Sequence, residues 1–289
     1  MITLENDFLK IAIKNKGAEI VSIFDKKLSV ERLWQADTEI WAWHAPNLFP
    51  VVGGCFNNQI TINGTSFEMQ RHGFARHNDF VLVEQDLKSA KLSLSYSPET
   101  FKIYPYKFAF QVIYSLEESY LKVTYKVINY DEQSILFSVG AHPAFKVPFF
   151  DGESINDYYF DFELEEPLIS HLLSPAGFFN GETENLSDTG KTLPITPDIF
   201  KKDALVFKDL KSRKVSIKSK KNHHHICIEY ANFNYLGIWS KDPSKFICLE
   251  PWIGCADTEG KITELRDKEG ILELHKGHVF EALFNIIIQ

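Results

Sequence analysis

The chain has 289 residues, 44% of them hydrophobic and 14% aromatic, and its 31 Lys and Arg against 39 Asp and Glu give a net charge of −8. That composition is too apolar for intrinsic disorder, and the acidic balance argues against nucleic acid or an anionic membrane as partner. No run approaches the roughly 18 consecutive apolar residues of a membrane helix, the first residues lack a secretory pattern, and Cys55, Cys227, Cys248 and Cys255 form no disulfide framework. A cytoplasmic address is expected.

Alternation with period two runs through the chain. Leu9, Ile11 and Ile13 alternate with polar or small residues before the turn at Asn15-Lys16-Gly17, and Ile20 to Phe24 follow. Leu92, Leu94 and Tyr96 alternate with serines. Phe108 to Tyr114 and Leu121 to Val127 read as a hairpin about Glu117-Glu118-Ser119, and Ile135 to Val139 come next. Later runs are Leu205–Phe207, Lys214–Ile217, Ile226–Tyr230, Leu236–Trp239, Phe246–Leu249 and Val279–Ile288. Branched and aromatic residues at alternating positions favour a pleated sheet with one buried face, and many short runs between turn residues indicate a sandwich or barrel. The expected fold is all-β, with 1–289 as a single domain. Phe150 to Pro197, broken by prolines, glycines and acidic residues, reads as an elaborated loop packed down by Tyr158, Tyr159, Phe160 and Phe162.

Several charged runs carry no chemistry on this reading. Lys208, Lys211, Arg213, Lys214, Lys218, Lys220 and Lys221 read as the solvated face of a hairpin, since Val215 and Ile217 alternate with polar neighbours. In His223-His224-His225 only the outer two share a face, and no further ligand stands at a useful spacing. His275-Lys276-Gly277-His278 bridges a turn. Glycine-rich phosphate loops and a GxSxG elbow are both missing.

Three segments place a titratable side chain in a rigid, aromatic setting. In Arg71-His72-Gly73-Phe74-Ala75-Arg76-His77, two arginines flank His72, and Gly73 permits close backbone approach. In Gly140-Ala141-His142-Pro143-Ala144-Phe145, Pro143 restricts His142 to extended dihedrals at the end of an apolar strand. Such an imidazole can exchange protons near neutral pH. In Leu249-Glu250-Pro251-Trp252, Glu250 lies within an apolar run, where a carboxylate is costly unless paired or neutralised, and Trp252 offers a flat face for a sugar ring. The competing readings are a loop histidine capping a carbonyl, a buried structural histidine and a structural salt bridge.

Taken in order, these segments resemble the aldose 1-epimerase (galactose mutarotase) superfamily, most of all its lactose-operon-associated mutarotase-like branch. Further matching elements are Gly17 to Ile23, Leu33 to Asp37, Asn47-Leu48-Phe49-Pro50 and Asp203-Ala204-Leu205-Val206-Phe207. The resemblance implies an antiparallel supersandwich with the sugar in an open cleft on one sheet. It implies interconversion of the α and β anomers of a free hexose without metal or organic cofactor. It matches Glu250 to the family's base, His142 to its general acid, and His72 and Asp203 to sugar-binding positions. Arg71, Arg76 and Trp252 join them as expected substrate contacts. Many members carry an arginine shortly after the Phe-Pro element, where this chain has Gly54. Either Arg71 or Arg76 substitutes in space, or the substrate differs, or activity is weakened.

Glu250 and His142 are expected to converge across a gap about as wide as a pyranose, with their opposite charges lowering the carboxylate pKa and raising that of the imidazole. The other readings are a non-catalytic carbohydrate-binding or sensing protein and a hexose-6-phosphate 1-epimerase using cations at the cleft rim. Whether the chain is a monomer or a homodimer stays open.

Overall fold

The computed structural model describes residues 1–289. Its strands pair antiparallel throughout the named ladders, and a nine-stranded sheet forms the back of the molecule. Across that sheet lie Phe179–Pro194, Tyr158–Leu173, Lys214–Ser219, His225–Glu229, Val279–Ile288, Tyr120–Asn129, Phe108–Glu117, Ser89–Ser95 and Val81–Gln85. The path of the second sheet runs Leu205–Phe207, Tyr235–Trp239, Phe246–Ile253, Val139–Ala141 and Asn47–Leu48, with Ala144–Lys146 also paired to Phe246–Ile253. A four-stranded sheet made from residues 2–31 packs against this body. The single α-helix, Pro98–Ile103, starts with a Ser97/Thr100 capping box, and no helix is long and apolar enough to cross a membrane.

Alternation decides what each side of the second sheet does. All eight residues of Phe246–Ile253 are buried, but they divide between two environments. Ile247, Leu249 and Ile253 join the main core of 67 residues, which also takes Phe110, Tyr125 and Phe284 from the back sheet. Cys248 and Trp252 belong to separate small clusters on the opposite face. Leu236 and Ile238 likewise face the main core, whereas Tyr235 and Trp239 pack with the outer clusters. A strand buried on both faces reads as a continuous apolar run, so Glu250 interrupts it on the outer face.

Phe150 to Pro197 is not a loop. It contains two 16-residue strands, Tyr158–Leu173 and Phe179–Pro194, forming a hairpin at one edge of the back sheet. The pairing slips repeatedly, between Asp161 and Glu166, Glu166 and Leu168, and again near the tip. Each bulge shifts the side-chain phase and erases the alternation by which a strand is recognised. In the basic run, Lys214, Lys218 and Lys221 pair with Glu229, Asp161 and Asp157, whereas Lys208 lies outside the hairpin, largely buried over the Phe179 ring and paired with Glu269.

Candidate active site

Strand register brings the candidate acid and base together. Gly140 pairs with Trp252 and Ala144 with Cys248, so His142 lies opposite Glu250 between two anchored pairs. Pro143 has no N–H and the ladder opens there; the His142 N–H instead donates to the Pro46 carbonyl at 3.2 Å. That support is tied to the amino-terminal sheet, because buried Glu19 accepts the N–H groups of His44 and Ala45 at 2.7 and 2.9 Å. On its other flank Glu250 pairs with Gly237, which has no side chain to cover the carboxylate.

His142 Nε2 lies 3.2 Å from Glu250 Oε2. The expected pyranose-wide gap is therefore absent: opposed residues on neighbouring strands have Cβ atoms only about 5 Å apart, and these two side chains meet at their tips. Glu250 is 1% exposed and His142 8%, yet both line an open cleft of about 930 Å³. Glu250 Oε2 and His142 Nδ1 have no hydrogen-bond partner on another residue.

The electrostatics run opposite to expectation. Burial pushes Glu250 well above the usual carboxylate range, aided by the charge of Asp203. Burial, with the nearby Arg76 guanidinium, lowers His142 to about 3. Loss of solvation outweighs mutual attraction, as it does for many buried pairs. Both directions favour the neutral forms, with the pair's one proton on the carboxyl group.

The other matched residues surround this pair. His72 Nδ1 accepts the Gly53 N–H at 3.1 Å, which leaves its other nitrogen, Nε2, as a donor. Its ring is edge-on to His142 at 5.6 Å, and burial followed by the charge of Arg76 holds it well below the ordinary histidine range. Gly73 is required beside it, because a Cβ there would lie 2.2 Å from the Phe49 carbonyl oxygen. His77 instead stands edge-on to Trp43. Asp203 lines the cleft, with Oδ1 accepting its neighbour's N–H at 2.7 Å. Trp252 forms part of the floor, its ring so close to Gly140 and Gly237 that a Cβ on either would lie 2.7 or 2.5 Å from it.

The two arginines are both partly engaged. Arg71 donates to the Ala176 carbonyl at 2.6 Å and the Gly177 carbonyl at 3.4 Å, latching the tip of the long hairpin. Arg76 donates to the Arg71 carbonyl at 2.9 Å and lies 5.1 Å from the Trp43 ring centre. Gly54 accounts for the departure seen in the sequence. A Cβ at Gly54 would come within 2.9 Å of Phe178 and 3.3 Å of the Arg71 guanidinium, so Arg71 and the hairpin tip occupy that space.

Residues missed from the sequence form the walls. Trp41 stacks on His142 with ring centres 4.9 Å apart, and Trp239 meets His142 edge-on at 5.8 Å. Lys201, Lys241, Asn180 and Ser174 line the cleft further out. Trp239 had a signal, the phase it shares with Tyr235 and opposite to that of Leu236 and Ile238; Trp41 lies in an irregular loop and had none. His142, Cys248 and Glu250 offer ligand atoms within 4.8 Å of one another. Tetrahedral zinc, with bonds of about 2.0–2.3 Å, would draw them closer and require the buried Cys248 thiol to ionise, which burial opposes.

An all-β sandwich with a buried carboxyl and imidazole meeting at an open cleft on one sheet is the class of protein the fold defines, and sequence comparison gives its family. The aldose 1-epimerase profile matches residues 1–265, and the chain belongs to that family. The chromosomal LacX protein of Lactococcus lactis subsp. lactis is 32% identical over 274 residues, covering 91% of each chain. A galactose mutarotase related enzyme from Lactobacillus acidophilus superimposes with TM-score 0.94 at 34% identity, over 100% of this chain and 97% of that one. A galactose mutarotase-like protein from Lactobacillus casei gives 0.94 at 31% over the whole of both chains.

Proposed function

We propose that the protein is an aldose 1-epimerase that interconverts the anomers of a free hexose, with residues 1–289 acting as one domain. The observation that carries this reading is the 3.2 Å contact between His142 Nε2 and Glu250 Oε2 at an open cleft. The anomeric hydroxyl and the ring oxygen share one carbon, so groups serving both must be neighbours. Glu250 as carboxylate takes the anomeric hydroxyl proton, and His142 as imidazolium gives one to the ring oxygen. The ring C–O bond breaks, and the bound aldehyde rotates about its C1–C2 bond. Closure reverses both transfers on the other carbonyl face.

The proton inventory balances. The pair holds one proton throughout, on the imidazole before ring opening and on the carboxyl after it. Burial favours the second arrangement, so the resting site first returns the proton to His142 across their contact. His72, through its Nε2–H, and Asp203 bind hydroxyls, and Trp252 forms the floor. The reaction is nearly thermoneutral, and general acid–base catalysis, worth about 10²–10⁴-fold, with positioning is enough. Glu250→Gln and His142→Asn are each expected to lower the rate by about 10²–10⁴-fold. Polarimetry of a fresh α-sugar solution reads this directly, and undiminished interconversion by either variant would refute the assignment.

A second substrate is favoured by charge. In a chain of net charge −8, Lys201 and Lys241 line the cleft and take part in none of the ion pairs, while Lys202 pairs with Glu184. Two such cations suit a hexose 6-phosphate. Rates on glucose and glucose 6-phosphate, compared at matched concentrations and two salt levels, separate the substrates. The binding-only alternative, motivated by Gly54, would give calorimetric binding of hexoses with no acceleration of mutarotation.

A further inference from the structure

The proposed mechanism requires His142 to carry a proton in a place that resists charge. Burial and Arg76 both oppose the imidazolium. A catalytic imidazole usually has its second nitrogen held by a carboxylate or carbonyl, which stabilises the charged ring. Here Nδ1 has no partner on another residue. What lies against the ring is an aromatic face: the Trp41 indole, 4.9 Å away and inclined by 26°.

Trp41 is itself braced. Its N–H donates to the Asp37 carbonyl at 2.8 Å, its carbonyl accepts the Trp34 indole N–H at 2.9 Å, and its ring stacks on Phe246 at 5.5 Å. Trp239 meets it edge-on at 5.6 Å. The polar groups around His142 are Glu250 and the Cys248 thiol on the facing strand and His72 and Arg76 from the 71–77 turn. Asp203 stands beyond Glu250. Among these side chains only Glu250 can favour its charge, and only while ionised; the other group that favours it is the backbone of His142 itself.

We propose that Trp41 is a positioning residue that clamps the His142 ring and, through the electron-rich face of its indole, stabilises the imidazolium until the proton passes to the sugar. A cation over an indole face is held most strongly where water is excluded, and the His142 imidazole is buried. This inference rests on the reading of His142 as the general acid.

The test uses the full-length protein with mono-, di- and trifluorotryptophan placed at position 41, together with Trp41→Phe, Trp41→Leu and His142→Asn, each followed by polarimetry for kcat and KM. Fluorine withdraws density from the indole face while barely changing its shape. The expected result is a kcat that falls about twofold with each fluorine at constant KM, with Trp41→Leu down about ten- to thirtyfold and partial rescue by Trp41→Phe. A flat fluorine series would overturn the proposal and leave Trp41 as packing only. If Trp41→Leu fails to fold, the fluorinated proteins still decide, because their shape is native. Full turnover by His142→Asn would overturn the acid assignment, whereas an inactive His142→Asn with a flat series removes only the role of Trp41.

Discussion

At the scale of single residues, the unusual feature is a carboxyl and an imidazole that share one proton and are both pushed towards neutrality. This has a consequence for pH. Lowering His142 to about 3 moves uptake of a second proton to more acid conditions, and raising Glu250 moves loss of the last one to more alkaline conditions. Between those limits the pair holds one proton whatever the pH, and its partition between the two groups is constant. We therefore expect kcat, corrected for spontaneous mutarotation, to be flat from pH 4.5 to 6.5. Independent titration of an ordinary carboxylate and histidine would instead give inflections inside that window. His72 is a neutral donor there, so His72→Phe should raise KM and lower kcat without creating a new inflection.

At the scale of elements, the site depends on where side chains are missing. Gly237 sits opposite Glu250, and a Cβ there would lie 2.5 Å from the Trp252 ring. Gly237→Ala is expected to destabilise the protein by about 1–3 kcal/mol through overpacking, read as a lower denaturation midpoint with an unchanged slope. The hairpin tip depends on the same device. Arg71 reaches the Ala176 and Gly177 carbonyls over Gly54, so Gly54→Arg should displace the latch. Limited proteolysis should then cut near 174–178 faster than in the parent protein; equal cutting would argue against the latch. The alternation of apolar residues disclosed the sheets, but it could not reveal the long hairpin, because bulges break its phase.

At the scale of the whole molecule, a buried ion pair ties together segments that are far apart in the chain. Lys268 Nζ lies 2.5 Å from Asp257 Oδ1, and both side chains are under 10% exposed. Asp257 also accepts the Phe56 N–H at 2.8 Å, and its carbonyl takes the Phe179 N–H at 3.0 Å, which joins the 53–58 loop to the hairpin. Lys268→Met removes one partner and leaves a buried carboxylate, a change that costs about 3–5 kcal/mol. Chemical denaturation would check this, and Asp257→Asn in the same background should recover part of the loss.

The residue pattern by itself determined the class of fold and the three segments whose side chains meet at the cleft. Alternation reports which face of a strand is buried, and a lone carboxylate in an apolar run is costly enough to be noticed. Three things came only from the tertiary structure. One is the direct meeting of His142 and Glu250, which follows from a register set by pairs on either side. Another is their neutral state, because desolvation depends on everything packed around them. The last is the aromatic wall: Trp41 is brought to His142 by a loop, and nothing local in the chain marks two residues a hundred positions apart as neighbours.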